Sequence, residues 1–418
     1  MLDKFLGEMP DLDTTFWQVP KTSVKNLNKH VALDLIRLSP GGISRIELSR
    51  ELGLTRAAVT AIVGDLIKAG LVRESNGKVR RGRRSIALEI NPQGGLVVGV
   101  DIGATHVTLL LADYLAHVID EIEQPLDIFA GPKVCLPFVD RLMQNWLDGL
   151  GVTLNRVTAV GVGVPGPIVT DAGTVSGPPI MPGWDLFPIR EWLENTWHCP
   201  VTLGNDAEFG ALGEWAFGAG RGVDNLAYIK VGTGIGAGLL IDGQIYRGTT
   251  GCAGEIGHIT IEENGPLCTC GNRGCLEALA GGRAIAQKAI FAIKAGARTM
   301  LSDLPSIEAI NVMDVIAAAR KGDHLSQKLV EEAGYYLGTA LANLINLFNP
   351  TKIVIGGGVA QVGDLLLEPV RKIAKQRSLK VASRAVTITS AVLGRRSSAM
   401  GAVAQAISLS LHRLAEAS

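Results

Sequence analysis

Four residues in the second half of the chain have the types and spacing of metal ligands. His258 is followed by Cys268, Cys270 and Cys275 in GHITIEENGPLCTCGNRGC, a His-x9-Cys-x-Cys-x4-Cys pattern. Three thiolates and one imidazole complete a tetrahedral zinc shell with no open position, which marks a structural rather than a hydrolytic site. Gly271 and Gly274 allow the backbone to turn around such an ion. The bland alternative is a reduced, buried thiol cluster. A redox pair fits less well, because it calls for exposed low-pKa thiols rather than four converging ligands. Cys135, Cys199 and Cys252 read as packing residues in a chain whose lack of a secretion signal implies reducing surroundings.

A second chemistry lies in glycine turns. GLVVGVDIGATHVTLLLADY (95–114) and NLAYIKVGTGIGAGLLIDGQ (225–244) are each an apolar strand, a Gly/Thr turn and another strand. Turns of this kind present backbone amides to phosphate, here through Gly103 and Thr105 in the first and Gly232, Thr233 and Gly234 in the second. The pseudo-repeat implies a duplicated α/β unit with ligand between its halves. KIVIGGGVA (352–360) adds a strand, a turn at Gly357 and a helix start, a usual place for the adenosine of a nucleotide. It follows a helical stretch in which Leu337, Leu341, Leu344 and Phe348 share a face.

Other elements point to nucleic acid. In GGISRIELSRELGLTRAAVTAIVGDLIKAGLV, Ser44 and Glu47 form a capping-box pattern and Gly53 breaks the first short helix. Thr55 then caps a second helix whose Val59, Ile62, Val63, Leu66 and Ile67 make a buried stripe, and Gly70 ends it. Asn76-Gly77 predicts a hairpin turn, with Arg80, Arg81, Arg83 and Arg84 near the tip. Helix, turn, recognition helix and basic wing make a winged helix-turn-helix, in which Thr55, Arg56 and Thr60 are the expected base readers and the wing arginines the phosphate or minor-groove contacts. The bland alternative is a small helical packing module with a solvated charged loop.

Charge supports the division. The formal net charge of the 418 residues is zero, yet residues 20–92 hold fourteen Lys or Arg against six Asp or Glu. A basic head on a mildly acidic body suits a protein of which only the head meets a polyanion. Hydrophobic content of 47% allows a sizeable core, and no apolar run reaches the roughly 18–20 residues of a membrane span, so a cytoplasmic protein is expected.

The motifs DIGAT, GVGVPGP (161–167), NDAEFGALGEWAFGAGRG (205–222), GTGIGAG, GCAGEIGH (251–258) and CTCGNRGCLEALA (268–280), in that order, resemble the ROK family of repressors, open reading frames and sugar kinases. TSVKNLNKH (22–30) and the helix-turn-helix segment resemble the N-termini of its repressor branch. The resemblance covers about residues 22 to 405. It implies an α/β chain with the actin-like ATPase (ribonuclease H-like, duplicated) sugar-kinase fold behind an N-terminal winged helix-turn-helix domain. The expected boundaries are a leader at 1–21, the DNA-binding domain at 22–93, a smaller α/β subdomain at 94–216 plus 400–418, and a larger one at 217–399 carrying the zinc.

By the same resemblance, the second ring nitrogen of His258 meets a sugar hydroxyl, and Asn205, Asp206, Glu255 and Glu277 complete a sugar-binding set. Asp206 occupies the catalytic-base position of the kinases, where it takes the proton of the attacking hydroxyl or, in a repressor, simply hydrogen-bonds the sugar. Asp101 would help to place the metal of Mg-ATP. The kinase branch reads Asp-Ile-Gly-Gly-Thr-Lys where this chain has DIGATH, so Ala104 and His106 weaken the first phosphate turn. The expectation is a sugar-responsive transcriptional regulator, a repressor of carbohydrate genes, with operator DNA and a small sugar as partners, structural zinc, no membrane, and a homodimer or homotetramer. The alternative is a DNA-binding hexose kinase that also uses Mg-ATP.

Overall fold

A computed structural model describes residues 24–39, 41–80, 83–178 and 181–418. The expected leader at 1–21 and Arg81 lie outside the described residues. The chain forms two compact units, residues 1–94 with 408–418 and residues 95–407.

The first unit is the basic head. It holds α1 (Val24–Leu38), α2 (Arg45–Glu51), α3 (Arg56–Lys68) and an antiparallel hairpin of β1 (Val72–Arg80) and β2 (Arg83–Ile90). The capping box forms: the Ser44 amide donates to Glu47 Oε2 at 3.0 Å and the Glu47 amide to Ser44 Oγ at 3.2 Å. Thr55 Oγ1 accepts from the Ala58 amide at 3.2 Å, and Gly70 follows α3 at φ +75°. Val59, Ile62, Val63 and Leu66 are buried, while Arg56, Ala57, Thr60 and Gly64 are exposed on the other side of α3.

The wing differs from expectation in its turn. Asn76-Gly77 does not close the hairpin, because β1 runs on to Arg80, which pairs with Arg83. The Asn-Gly pair lies where the register shifts between Asn76 and Val79. A glycine inside a strand commonly marks such a bulge, so the local turn signal was absorbed by the ladder rather than ending it.

The second unit contains two five-stranded sheets built to one plan. The first is ordered β5 (Val118–Pro125), β4 (His106–Asp113), β3 (Leu96–Ile102), β6 (Val157–Val164) and β9 (Val201–Asn205), with β7 (Ile168–Val169) and β8 (Thr174–Val175) a separate small hairpin. The second is ordered β12 (Gln244–Ile245), β11 (Ile235–Ile241), β10 (Leu226–Val231), β13 (Lys352–Gly356) and β14 (Thr387–Ser390). In both, a central strand pairs antiparallel with its hairpin partner and parallel with the strand on its other side. This is the duplicated unit implied by the two glycine hairpins.

Helices cover these sheets and supply two cores. α4 (Pro132–Gly149) and α5 (Ile189–Trp197) pack with the first sheet around Leu109, Val139, Met143 and Trp184. α6 (Asp206–Phe217) follows β9 directly. α7 (Leu276–Ala280), α8 (Gly282–Lys294), α9 (Val312–Arg320), α10 (His324–Phe348) and α11 (Asp364–Arg377) pack with the second sheet around Ile229, Leu337, Ile355 and Leu366. α12 (Lys380–Ala385) precedes β14, and α13 (Ser397–Glu416) ends the chain. The beginning of α13 lies against β6: a Cβ on Gly161 would collide with the backbone of Ala402. Residues 408–418 group with the head instead, where Lys29 Nζ donates to the Ala415 carbonyl at 3.2 Å and pairs with Asp65 at 3.3 Å.

Candidate sugar and metal site

Strand ends and turns of the two sheets surround a cavity of about 320 Å³. Asp101, Gly103, Thr105, Asn205, Asp206, Gly232, Thr233, Gly234, Glu255, His258, Glu277 and Gly357 all line it, although they are drawn from six stretches of sequence. The volume suits a small ligand held by a few directed polar groups.

Each polar group has an evident support. Asn205 ends β9 and caps α6: its Oδ1 accepts from the amides of Ala207 at 2.8 Å and Glu208 at 3.1 Å. Its Nδ2 donates to the Gly166 carbonyl at 3.0 Å, leaving at most one amide hydrogen for a ligand. Asp206 opens the first turn of α6, where the helix N-terminus favours a negative charge. Glu277, in the first turn of α7, accepts from the Ile235 amide at 3.0 Å and so holds the second glycine turn in place. That turn is closed by the Gly232 amide donating to the Gly234 carbonyl at 2.9 Å, and the first by Gly103 donating to His106 at 2.9 Å.

The electrostatics depend on burial. Desolvation pushes the Asp101 carboxyl up to about 6, with Lys230 pulling the other way. It pulls His106 down to about 4, helped by the positive charges of Arg395 and Lys230, so the imidazole is neutral at pH 7. Burial also raises Glu255, against the opposing effect of His258, and raises Glu208, against Arg247. Glu208 is buried and ion-paired to Arg247 at 3.1 Å.

Three of these groups escaped the sequence reading. Glu208, Lys230 and Arg395 all line the cavity. The signal for Lys230 was present: a single charge in the otherwise apolar NLAYIKV, just before a glycine turn. Burying a charge without a partner is costly, so an inward-facing lysine there calls for carboxylates opposite.

The His258–Cys268–Cys270–Cys275 cluster adjoins the cavity, and its four ligand atoms lie within 4.8 Å of one another. Cys270 and Cys275 sulfurs are 3.7 Å apart, and Cys268 Sγ is 3.7 Å from His258 Nδ1. Ligands about 2.3 Å from a central zinc at tetrahedral angles stand about 3.8 Å apart, close to these two spacings, so the residues fit such an ion. Gly274, at φ +63°, is needed for this loop, since a Cβ there would collide with the Glu262 carbonyl. His258 Nε2 faces Glu255 Oε2 at 3.8 Å, so Nδ1 is the nitrogen turned to the sulfurs.

The ROK family profile matches residues 97–408. This chain belongs to the ROK family. A MarR family profile matches residues 26–82, which contain the helix-turn-helix and most of the wing. The chain is 33% identical over 388 residues to the xylose repressor of Caldicellulosiruptor bescii, covering 93% of this chain and 97% of that one. A crystal structure of a ROK family transcriptional regulator, described as a homologue of the E. coli MLC protein, superposes with a TM-score of 0.79 at 30% identity, covering 94% and 98%. A ROK glucokinase from Streptomyces griseus, solved with glucose and AMPPNP, gives 0.66 at 32% identity and covers 75% of this chain against 99% of its own. The regulators thus match head and body together, whereas the kinase leaves a quarter of this chain unmatched. This chain has the actin-like fold and the winged head expected from the motifs, and it falls with the family's regulators rather than with its enzymes.

Proposed function

We propose that this chain is a sugar-responsive DNA-binding repressor of carbohydrate genes. The observation that carries the reading is the union, in one chain, of a winged helix-turn-helix with an exposed recognition face and a body whose cavity is lined by sugar-kinase polar groups. Thr55, Arg56 and Thr60 are exposed, which supports reading them as base contacts, although Thr55 Oγ1 also caps α3 and Thr60 Oγ1 donates to the Arg56 carbonyl at 2.8 Å. Arg80, Arg83 and Arg84 belong to the last pairs of the wing hairpin, which supports reading them as phosphate contacts. No helix among the described residues is long and apolar enough to cross a membrane.

Zinc is the metal that the donor set selects, through three soft thiolates and an imidazole in a closed tetrahedron. Bound there, it would contribute folding energy and fix the orientation of His258. The protein's own groups do the recognition: His258 Nε2 and the carboxylates of Asp206, Glu255 and Glu277 offer a polyol hydrogen-bond partners around one cavity. A dimer would place two recognition helices in successive major grooves of a pseudo-palindromic operator.

The test is a fluorescence-anisotropy titration of a selected operator against a panel of neutral pentoses, hexoses and N-acetylated hexoses. One of them is expected to weaken operator binding by about 5- to 150-fold. Operator affinity identical with and without every sugar, at concentrations that saturate the protein, overturns the reading.

A further inference from the structure

The cavity contains a cation that belongs to the chain itself. Lys230 lies on β10 between Ile229 and Val231, both fully buried, and extends towards the acidic ends of the first sheet. Its Nζ donates to Asp206 Oδ2 at 2.9 Å, to Asp101 Oδ2 at 3.4 Å and to Ser398 Oγ at 3.2 Å. An ammonium has three hydrogens, and these three partners use them all. Lys230 therefore holds the two carboxylates together and has no donor left for a ligand.

These are the two carboxylates to which a phosphoryl-transfer cleft of this fold would assign the divalent ion and the proton of the attacking hydroxyl. Magnesium requires near-octahedral oxygen ligands at about 2.0–2.1 Å and keeps several waters. Here an ammonium within 3.4 Å of both acids occupies that space and repels a second cation. The residues present do not fit Mg2+. Asp206, whose carboxylate would have to accept the sugar proton, already accepts a hydrogen from a charged donor at Oδ2.

We infer that Lys230 is the resident cation of this cavity, a built-in ammonium in place of the divalent ion, so that the site binds sugar without metal or nucleotide. The inference rests on the sugar-sensor reading and adds to the first phosphate turn a second and independent reason for silence. Repairing Ala104 and His106 would leave Lys230 bridging the acids.

The experiment uses the full-length, zinc-loaded protein. Free Mn2+ is followed by its electron paramagnetic resonance signal as it is titrated into the parent, Lys230→Met, Lys230→Met/Asp206→Asn and Ala104→Gly/His106→Lys. Lys230→Met is expected to bind Mn2+ more tightly than the parent by about tenfold or more, and the added Asp206→Asn change to abolish the gain. The Ala104→Gly/His106→Lys variant is expected to bind no better than the parent. A folded Lys230→Met protein without a new site overturns the inference, as does a parental Mn2+ site as tight as that of Lys230→Met.

Should Lys230→Met fail to fold, reductive methylation of the parent read by mass spectrometry decides. The exposed Lys321 and Lys328 are expected to react while Lys230 resists. Methylation of Lys230 at their rate overturns the inference. A sugar panel that gives no thermal shift with the parent would reject the sensor reading, and the Mn2+ and methylation results would still judge Lys230.

Discussion

Asp101 and His106 stand at the two ends of one glycine turn, and burial moves their ionisation in ways that oppose each other as pH falls. For His106 the folded value is about 4, below the ordinary 6.5, so between these values the unfolded chain binds the proton and the folded one does not. Its contribution is present above 6.5 and is lost as pH falls towards 4. For Asp101 the folded value is about 6 against 3.8, and the folded chain binds the proton first, so its contribution grows as pH falls through the same range. The two nearly cancel in the parent. His106→Gln removes one of them, and parent stability relative to the variant is expected to fall by roughly 1–3 kcal/mol between pH 6.5 and 4. Denaturant unfolding at several pH values measures it, and a difference independent of pH contradicts a neutral buried His106. At the metal cluster, Cys268→Ser is expected to lose the ion and, with it, the fixed orientation of His258. One buried hydrogen bond to the sugar then goes, about 1–3 kcal/mol of affinity by calorimetry. A metal-free variant with parental sugar affinity would separate the two sites. The ligand set was legible because its spacing is local, within eighteen residues. The Lys230 bridge was not, because Asp101 and Ser398 are far away in sequence and only the fold brings them to one ammonium.

Elements were legible where one signal dominated. The two glycine hairpins showed as a pseudo-repeat, and the two sheets repeat the same pairing around β3 and β10. Capping identified the starts of α2 and α3 to the residue, since a side chain that accepts a terminal amide leaves a sequence mark. The wing turn was misplaced because Asn-Gly serves a bulge as readily as a hairpin, and the choice depends on the partner strand. Helix α13 could not be divided by pattern: its apolar residues run on from the body, yet its last nine residues group with the head. The contact of α13 with β6 supplies a prediction at this scale. A methyl on Gly161 would meet the Ala402 carbonyl, and both sides of the clash are backbone, so no side chain can swing away. Gly161→Ala is expected to cost about 1–3 kcal/mol or more, read by denaturant unfolding, and to displace the start of α13, which also carries the Ser398 hydroxyl that Lys230 bonds. Parental stability in this variant would mean that the helix is not held against the sheet as closely as described.

For the whole molecule, the question is how a sugar in the body is felt by the head. α13 is one continuous helix, Ser397–Glu416, whose residues from 408 onward group with the head. Linkage then makes a demand that holds whatever the geometry of the change. If sugar lowers operator affinity by some factor, operator must lower sugar affinity by the same factor, because both are sides of one thermodynamic cycle. A factor of about 30 corresponds to a coupling free energy of about 2 kcal/mol, within reach of a few rearranged polar contacts. The expected outcome is that calorimetric titration of sugar into the protein–operator complex gives a dissociation constant higher than that of the free protein by the ratio seen in anisotropy. Shortening the chain before Ser408 removes the carbonyl of Ala415 and the hydroxyl of Ser418 from Lys29. If α13 carries the coupling, that truncation is expected to bring both ratios towards one together, while sugar binding to the body stays near parental. Ratios that differ from each other in the intact protein would mean that sugar and operator act on different oligomeric forms, and sedimentation of each complex would then identify them.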